Sequence, residues 1–293
     1  MICDIISYKR DLYMNSNYKR YKMLVFDLDG TLLNDNHEIA FLTLEVLSIL
    51  KKDFKIIIAT GRRLSEIRNV RNQLKEININ ENYLVTANGA EVFLQENLIF
   101  RHVMSYSLVK EILKIHKDNV DVNLYTFDTW YSNSDVKSPI MKHFIKDLGL
   151  NAVIGDLTAL GIDSVSKIVY YCDDLATLNK LENEIKNKDF QDIRVFFSFK
   201  DLLEITNINA YKYNAIKNIA FLENIPLSDC LAFGDNNNDY EMLKNLGKGV
   251  LMKNANEFLK INLANNETTR FSNNEDGVAK FLVDFFELNI KYE

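Results

Sequence analysis

Short continuous apolar runs alternate along the chain with stretches whose apolar positions recur every three or four residues. Met23–Phe26, Ile56–Ala59, Tyr83–Val85, Cys230–Phe233 and Gly249–Met252 are of the first kind. They are rich in β-branched and aromatic residues, as strands buried on both faces of a parallel sheet should be. Phe41–Lys51, Ser65–Lys75, Tyr213–Glu223 and Asp239–Leu246 are of the second kind and predict helices. Strand–helix alternation of this sort predicts an α/β fold with a doubly wound, parallel-sheet core.

The pattern changes between Asn88 and Asn207. Asn123–Tyr131 alternates and predicts a hairpin, with Phe127-Asp128-Thr129 near its turn. Lys167–Cys172 and Val195–Phe199 predict further strands, and Leu108–His116 and Leu175–Lys188 predict helices. The expected organisation is a core made of residues 22–87 and 208–293, with a second α/β module, residues 88–207, inserted between its halves. Residues 1–21 read as an N-terminal extension. Asp4 interrupts the apolar start that a secretory signal would need, and Asp4 and Asp11 count against a transit peptide.

Composition narrows the function classes. The chain has 293 residues, 47% of them apolar, and a formal charge of −6. That length buries enough surface for an autonomous core, and the acidic balance disfavours nonspecific nucleic-acid binding. No apolar run approaches a membrane span. Three cysteines (Cys3, Cys172, Cys230) lack metal-type spacing and leave an odd thiol, which favours a reducing, cytoplasmic setting over a disulfide scaffold.

The candidate chemistry sits where the predicted core strands end. The first run stops in Asp27-Leu28-Asp29-Gly30-Thr31. Carboxylates at the carboxyl end of a central strand lie where doubly wound sheets bind ligands, and such a pair calls for a cation. Mg²⁺ is the expected ion, a hard cation that takes one or two carboxylates and leaves positions for phosphate oxygens; two solvated turn acids are the plainer reading. The second run stops in Thr60-Gly61-Arg62. Thr60 can hydrogen-bond phosphate or cap a helix, and Arg62 can fork onto an anion. The fourth run stops in Gly234-Asp235-x-x-Asn238-Asp239, a pattern expected by chance in about one chain in 500 of this length. Asp235 offers a carboxylate to the ion, Asn238 an amide to phosphate, and Asp239 a partner for an ammonium. Lys212 opens a predicted helix. Taken alone it reads as a surface lysine, because a cation there opposes the helix dipole.

In this order the motifs resemble those of the haloacid dehalogenase (HAD) superfamily: Asp27-x-Asp29-Gly-Thr31, Thr60, Lys212 and Gly234-Asp235-x-x-Asn238-Asp239. Thirty-three residues separate Asp27 from Thr60, too few for an inserted domain, and 152 separate Thr60 from Lys212. That spacing, with Asn88-Gly89-Ala90 and Met252-x-Asn254-Ala255, looks like the Cof-type branch, subfamily IIB. Two positions depart from the branch: Tyr213 and Lys253 stand where glycines are usual.

The resemblance implies a HAD-like, Rossmann-type core and an α/β cap over the site. It also implies a Mg²⁺-dependent phosphatase acting on small phosphorylated metabolites, sugar phosphates above all. Asp27 would be the nucleophile that forms an aspartyl-phosphate, and Asp29 the acid and base. The Asp27 carboxylate, the Asp29 carbonyl and Asp235 would hold the metal, and Thr60, Lys212 and Asn238 the phosphoryl oxygens. Gly234 and Asp239 support them. Arg62 and Asn88, the latter at the handover from core to cap, are expected substrate contacts. A phosphomutase with the same nucleophile and a non-catalytic phosphometabolite sensor are the alternatives. Tyr125, Trp130 and Lys167 read as hairpin packing and a solvated cation rather than as site residues. Oligomeric state is not legible in the sequence.

Overall fold

The structure is a computed structural model that describes residues 20–79, 83–115, 119–134, 138, 142, 145 and 151–292. Most of the N-terminal extension, Cys3 and the end of the helix expected to reach His116 lie outside the described residues.

The first part of the core runs β1 (Met23–Phe26), α1 (Phe41–Leu50), β2 (Lys55–Ala59), α2 (Arg68–Glu76), β3 (Tyr83–Thr86), β4 (Glu91–Leu94) and β5 (Asn97–Arg101). The middle of the chain gives β6 (Met104–Ser105), α3 (Tyr106–Leu113), β7 (Asp121–Tyr125), β8 (Trp130–Ser132), β9 (Val153–Ile154), β10 (Ser164–Val165), β11 (Lys167–Tyr171), α4 (Leu175–Asn187), β12 (Ile193–Phe199) and β13 (Leu202–Asn207). The chain then returns through α5 (Lys212–Leu222), β14 (Cys230–Gly234), α6 (Tyr240–Asn245), β15 (Lys248–Leu251), α7 (Glu257–Asn262), β16 (Glu267–Thr268) and α8 (Gly277–Phe286).

An eight-stranded sheet in the order β16-β15-β14-β1-β2-β3-β4-β5 forms the core, parallel from β16 to β3. β1 is central and wholly buried. Leu24 and Phe26 pack with α1, α2 and α8 on one face, while Met23 and Val25 pack with α5 and α6 on the other. Burial on both sides is why its sequence is unbroken rather than alternating. Early strands extend the sheet to one side of β1 and late strands to the other. The topological switch therefore falls between β1 and β14, whose carboxyl ends are adjacent.

The core sheet does not stop at residue 87. A turn with left-handed backbone at Ala87 and Asn88 (φ 48° and 58°) reverses the chain, and β4 and β5 add two antiparallel strands. The run Glu91–Leu94 is too short to declare its partner in advance; Val92 and Phe93 bury on opposite faces of the sheet.

Residues 121–207 carry a second sheet in the order β12-β13-β11-β7-β8-β9. The expected hairpin is present, with Tyr125 opposite Trp130. One face packs on α3 and α4; the other turns toward the carboxyl ends of the core strands, where its residues line a shared cavity. A buried contact ties the two modules together: Ser166 Oγ, between β10 and β11, donates to Glu91 Oε1 on β4 at 3.0 Å. Burial raises the Glu91 carboxyl above its ordinary range despite its Ser166, Arg101 and Thr86 partners. Among the described residues no helix is long and apolar enough to cross a membrane.

Candidate active site

Asp27 follows β1 directly, and its N–H donates to Phe233 O of β14 at 3.1 Å, so the ladder holds it beside the end of the neighbouring strand. It is 5% exposed. Lys212, the first residue of α5, is wholly buried. Its Nζ donates to Asp239 Oδ1 at 2.8 Å and to Asp27 Oδ1. Two carboxylates thus offset both the desolvation of this ammonium and the unfavourable helix dipole at its position. Burial pulls the lysine toward neutrality, but attraction to Asp239 and Asp27 outweighs it and raises its pKa.

Asp239 is committed on both oxygens. Oδ1 accepts from Lys212, and Oδ2 accepts from the Asp235 and Asn236 N–H groups at 3.1 Å each. Asp235 lies past the end of β14, where Thr31 donates to its Oδ1 at 2.9 Å. Gly30, with φ 77°, passes so close that an added methyl would stand 2.4 Å from Asp235 Oδ2.

The charges do not balance locally. Burial, then Asp239 and Asp235, push the Asp27 carboxyl well above the carboxylate range against the pull of Lys212. Burial and Asp239 push Asp235 up to about 7. Asp27, Asp235 and Asp239 each bring one oxygen within 4.8 Å of the others. Because Asp239 is already spoken for, Asp27 and Asp235 are the pair whose charge a cation would compensate. Hard carboxylate oxygens, with Asp27 on the wall of a cavity, fit Mg²⁺.

Asp29 faces a different partner. Arg62 Nε donates to its Oδ2 at 2.8 Å and Arg62 Nη2 to its Oδ1, a bidentate clamp. His37 Nδ1 stands 3.0 Å from the same Nη2. Thr60, after β2, is 1% exposed, and its Oγ1 accepts from the Arg62 N–H at 3.1 Å in the loop, while the helical turn that follows is capped at Arg63, so its hydroxyl caps no helix here. Asn88 and Asn238 meet: Asn238 Nδ2 donates to Asn88 Oδ1 at 2.9 Å.

Asp27, Asp29, Arg62, Asn88, Lys212 and Asn238 line one cavity of about 520 Å³. Thr60, Gly234, Asp235 and Asp239 are not part of its wall. Gly234 ends β14 beneath Asp239. The opposite wall comes from the second module and includes Tyr125, Lys167, Arg194, Phe196 and Glu204, with Tyr211 from the return linker. Sequence reasoning set Tyr125 and Lys167 aside and passed over the others. Alternation along β11, β12 and β13 was a signal for a shared face, but register decides which residues lie side by side. Trp130 packs instead, stacked on Tyr125 and donating Nε1–H to Asn123 at 2.9 Å. Of the departures, Lys253 pairs with Glu275 at 3.2 Å on the surface, and the Tyr213 ring packs near Tyr211.

Comparison with known proteins agrees with this geometry. A Haemophilus influenzae protein named "Putative phosphatase" is 33% identical over 92% of this chain and 98% of its own. An HMP-PP phosphatase of Citrobacter koseri is 27% identical over 80% of this chain and 85% of its own. A solved HAD subclass IIB sugar phosphatase superposes with a TM-score of 0.74 at 26% identity, covering 90% of this chain and 98% of that one. The family model for haloacid dehalogenase-like hydrolases matches residues 24–282. With the acid–lysine constellation at the ends of β1 and β14, these likenesses place the chain: it belongs to the haloacid dehalogenase-like hydrolases, in their Cof-type subclass IIB.

Proposed function

We propose that this protein is a Mg²⁺-dependent phosphatase that hydrolyses small phosphorylated metabolites through an aspartyl-phosphate. The observation that carries the reading is Lys212, a fully buried ammonium held between Asp27 and Asp239 at the floor of a cavity. The Asp27 carboxylate attacks phosphorus as the bond to the leaving oxygen breaks, and Asp29, protonated once Arg62 has left it for substrate, gives its proton to that oxygen. A water then attacks phosphorus with Asp29 taking its proton, the Asp27–phosphoryl bond breaks, and inorganic phosphate leaves. Lys212 and Asn238 hold phosphoryl oxygens, and Thr60 fixes the Arg62 backbone beneath them. Arg62 orients Asp29 through its clamp and reaches substrate by exchanging that carboxylate for it, while Asn88 contacts substrate beside Asn238. The carboxylates of Asp27 and Asp235 and the Asp29 carbonyl would hold Mg²⁺, which would supply charge neutralisation at the phosphoryl group.

Residues of the inserted module act as a cap that supplies the leaving-group pocket. Sugar phosphates are the class suggested by the name of the solved relative. The buried free thiols Cys172 and Cys230 suit a cytoplasmic setting. The test is phosphate release from sugar, nucleotide and polyol phosphates. Asp27→Asn, nearly isosteric but a poor nucleophile, should fold and show no turnover, and EDTA should silence the wild type until Mg²⁺ is restored. Near wild-type rates in the variant, or full activity in EDTA, would discard the mechanism.

A further inference from the structure

The turn after β1 is held from outside the cavity as well as from within it. Gly30, between Asp29 and Thr31, has left-handed backbone (φ 77°) and no side chain to limit its rotation, so its carbonyl needs a partner if the turn is to keep one shape. Asn254, in the loop between β15 and α7, is that partner: its Nδ2 donates to Gly30 O at 2.7 Å. On the other side, Asn254 Oδ1 accepts from the Asn273 N–H at 3.1 Å, in the loop before α8. An acceptor on one side and a donor on the other suit a carboxamide; aspartate would lack the donor and leucine both groups.

The same short loop grips the second acid-bearing segment through its backbone. The Met252 N–H donates to Gly234 O and the Asn256 N–H to Asp235 O, each at 3.0 Å. Asn256 Nδ2 also donates to Asn236 Oδ1 at 2.8 Å. Residues 252–256 thus brace the loop after β14 directly and the turn after β1 through Asn254 alone of their side chains. The fit between the two braced segments is close. A methyl on Gly30 would stand 2.4 Å from Asp235 Oδ2, and Thr31 Oγ1 donates to Asp235 Oδ1 at 2.9 Å. Any shift of Gly30 therefore carries with it the Asp29 carbonyl, bonded to its nitrogen, and the hydroxyl that orients Asp235.

We infer that Asn254 is a positioning residue for the metal site: by fixing Gly30 it sets the spacing between the Asp29 carbonyl and the Asp235 carboxylate. This role presupposes the Mg²⁺-dependent reading and deepens it with a residue that acts through its neighbour. Asn254 is exposed and is no part of the cavity wall. Groups one step removed from metal ligands orient those ligands, and losing one typically costs about 10–100-fold in metal affinity. Lys253, next to it, serves as a control, because its side chain reaches outward to Glu275 at 3.2 Å and not to the turn.

Isothermal titration calorimetry with Mg²⁺ alone, on wild type, Asn254→Ala, Asn254→Ser and Lys253→Ala, reads the effect without turnover. Both Asn254 variants should bind Mg²⁺ at least about tenfold more weakly, since the serine hydroxyl ends one bond short of the asparagine amide. Lys253→Ala should bind it as wild type does. Phosphate release by the Asn254 variants should need correspondingly more Mg²⁺ and recover toward the wild-type kcat as Mg²⁺ saturates. A merely structural role would lower the melting temperature and leave the Mg²⁺ dissociation constant unchanged, which would overturn the inference. So would an equal loss of affinity in Lys253→Ala, the sign of a generally loosened loop. Failure of both Asn254 variants to fold would overturn it too, because the tether would then hold the fold rather than the ligands. A wild type that neither binds Mg²⁺ nor hydrolyses any phosphate ester would instead sink the metal-dependent phosphatase reading, and the inference with it.

Discussion

Single residues at this site are legible in proportion to how local their roles are. Asp27 and Asp235 declare themselves because each terminates an apolar run, and strand ends are where a doubly wound sheet presents side chains to ligands. Lys212 does not: in isolation it is a lysine at a helix start, and only its burial between Asp27 and Asp239 makes it otherwise. That burial gives it a structural price to remove. Lys212→Met keeps the volume but leaves Asp27 and Asp239 without their cation. Urea unfolding should show a loss of about 3 kcal/mol, with turnover abolished. Unchanged stability would mean that the ammonium does not compensate these acids. Asp29 is the opposite case. Its place in the sequence invites pairing with Asp27, yet Arg62, from the loop after β2, decides which way it faces, with His37 of its own loop 3.7 Å from the same carboxylate.

At the scale of elements, the parallel strands and their helices are readable because burial on both faces writes an uninterrupted apolar run. Shifts of a residue or two separate expected from observed ends: α5 starts at Lys212 rather than Tyr213, and β15 at Lys248 rather than Gly249. Asn88-Gly89 favours left-handed backbone and so a turn, but Ala87 shares that conformation without advertising it and the flanking runs are short, so β4 and β5 escaped. The loop after β14 shows how an element's end builds chemistry. At Gly234 an added methyl would lie 2.6 Å from Asp239 Cβ, so glycine is what lets the loop fold Asp239 down onto Lys212. Gly234→Ala should therefore push Asp239 away, costing about 1–3 kcal/mol by overpacking. Phosphate release should fall at least about tenfold, for the roughly 1.4 kcal/mol or more that a displaced Lys212 contact represents. Wild-type kcat with a lowered melting temperature would show that the contact is structural only.

For the whole molecule the balance of acids over cations at the junction of the two modules is the governing quantity. Asp27 lies well above its ordinary range and Asp235 at about 7, so the metal-free fold holds protons that the unfolded chain has released. A raised folded-state pKa means stability present at low pH and lost as pH rises through the folded value. Mg²⁺ competes for the same oxygens, so its binding tightens over that interval. The increase in melting temperature given by Mg²⁺ should be larger at pH 8 than at pH 5.5; equal shifts would remove Asp27 and Asp235 as ligands. The sequence by itself determined the sheet-forming runs, the change of pattern between the two halves of the core and the identity of the acids at the strand ends, because these depend on neighbours near in the chain. Tertiary structure alone decided that a lysine 185 positions from Asp27 is buried against it, that β4 and β5 lengthen the core, and that Tyr125, Lys167 and Glu204 face the acids across one cavity. Strand register and the docking of one module on the other set those contacts, and neither leaves a mark in local periodicity.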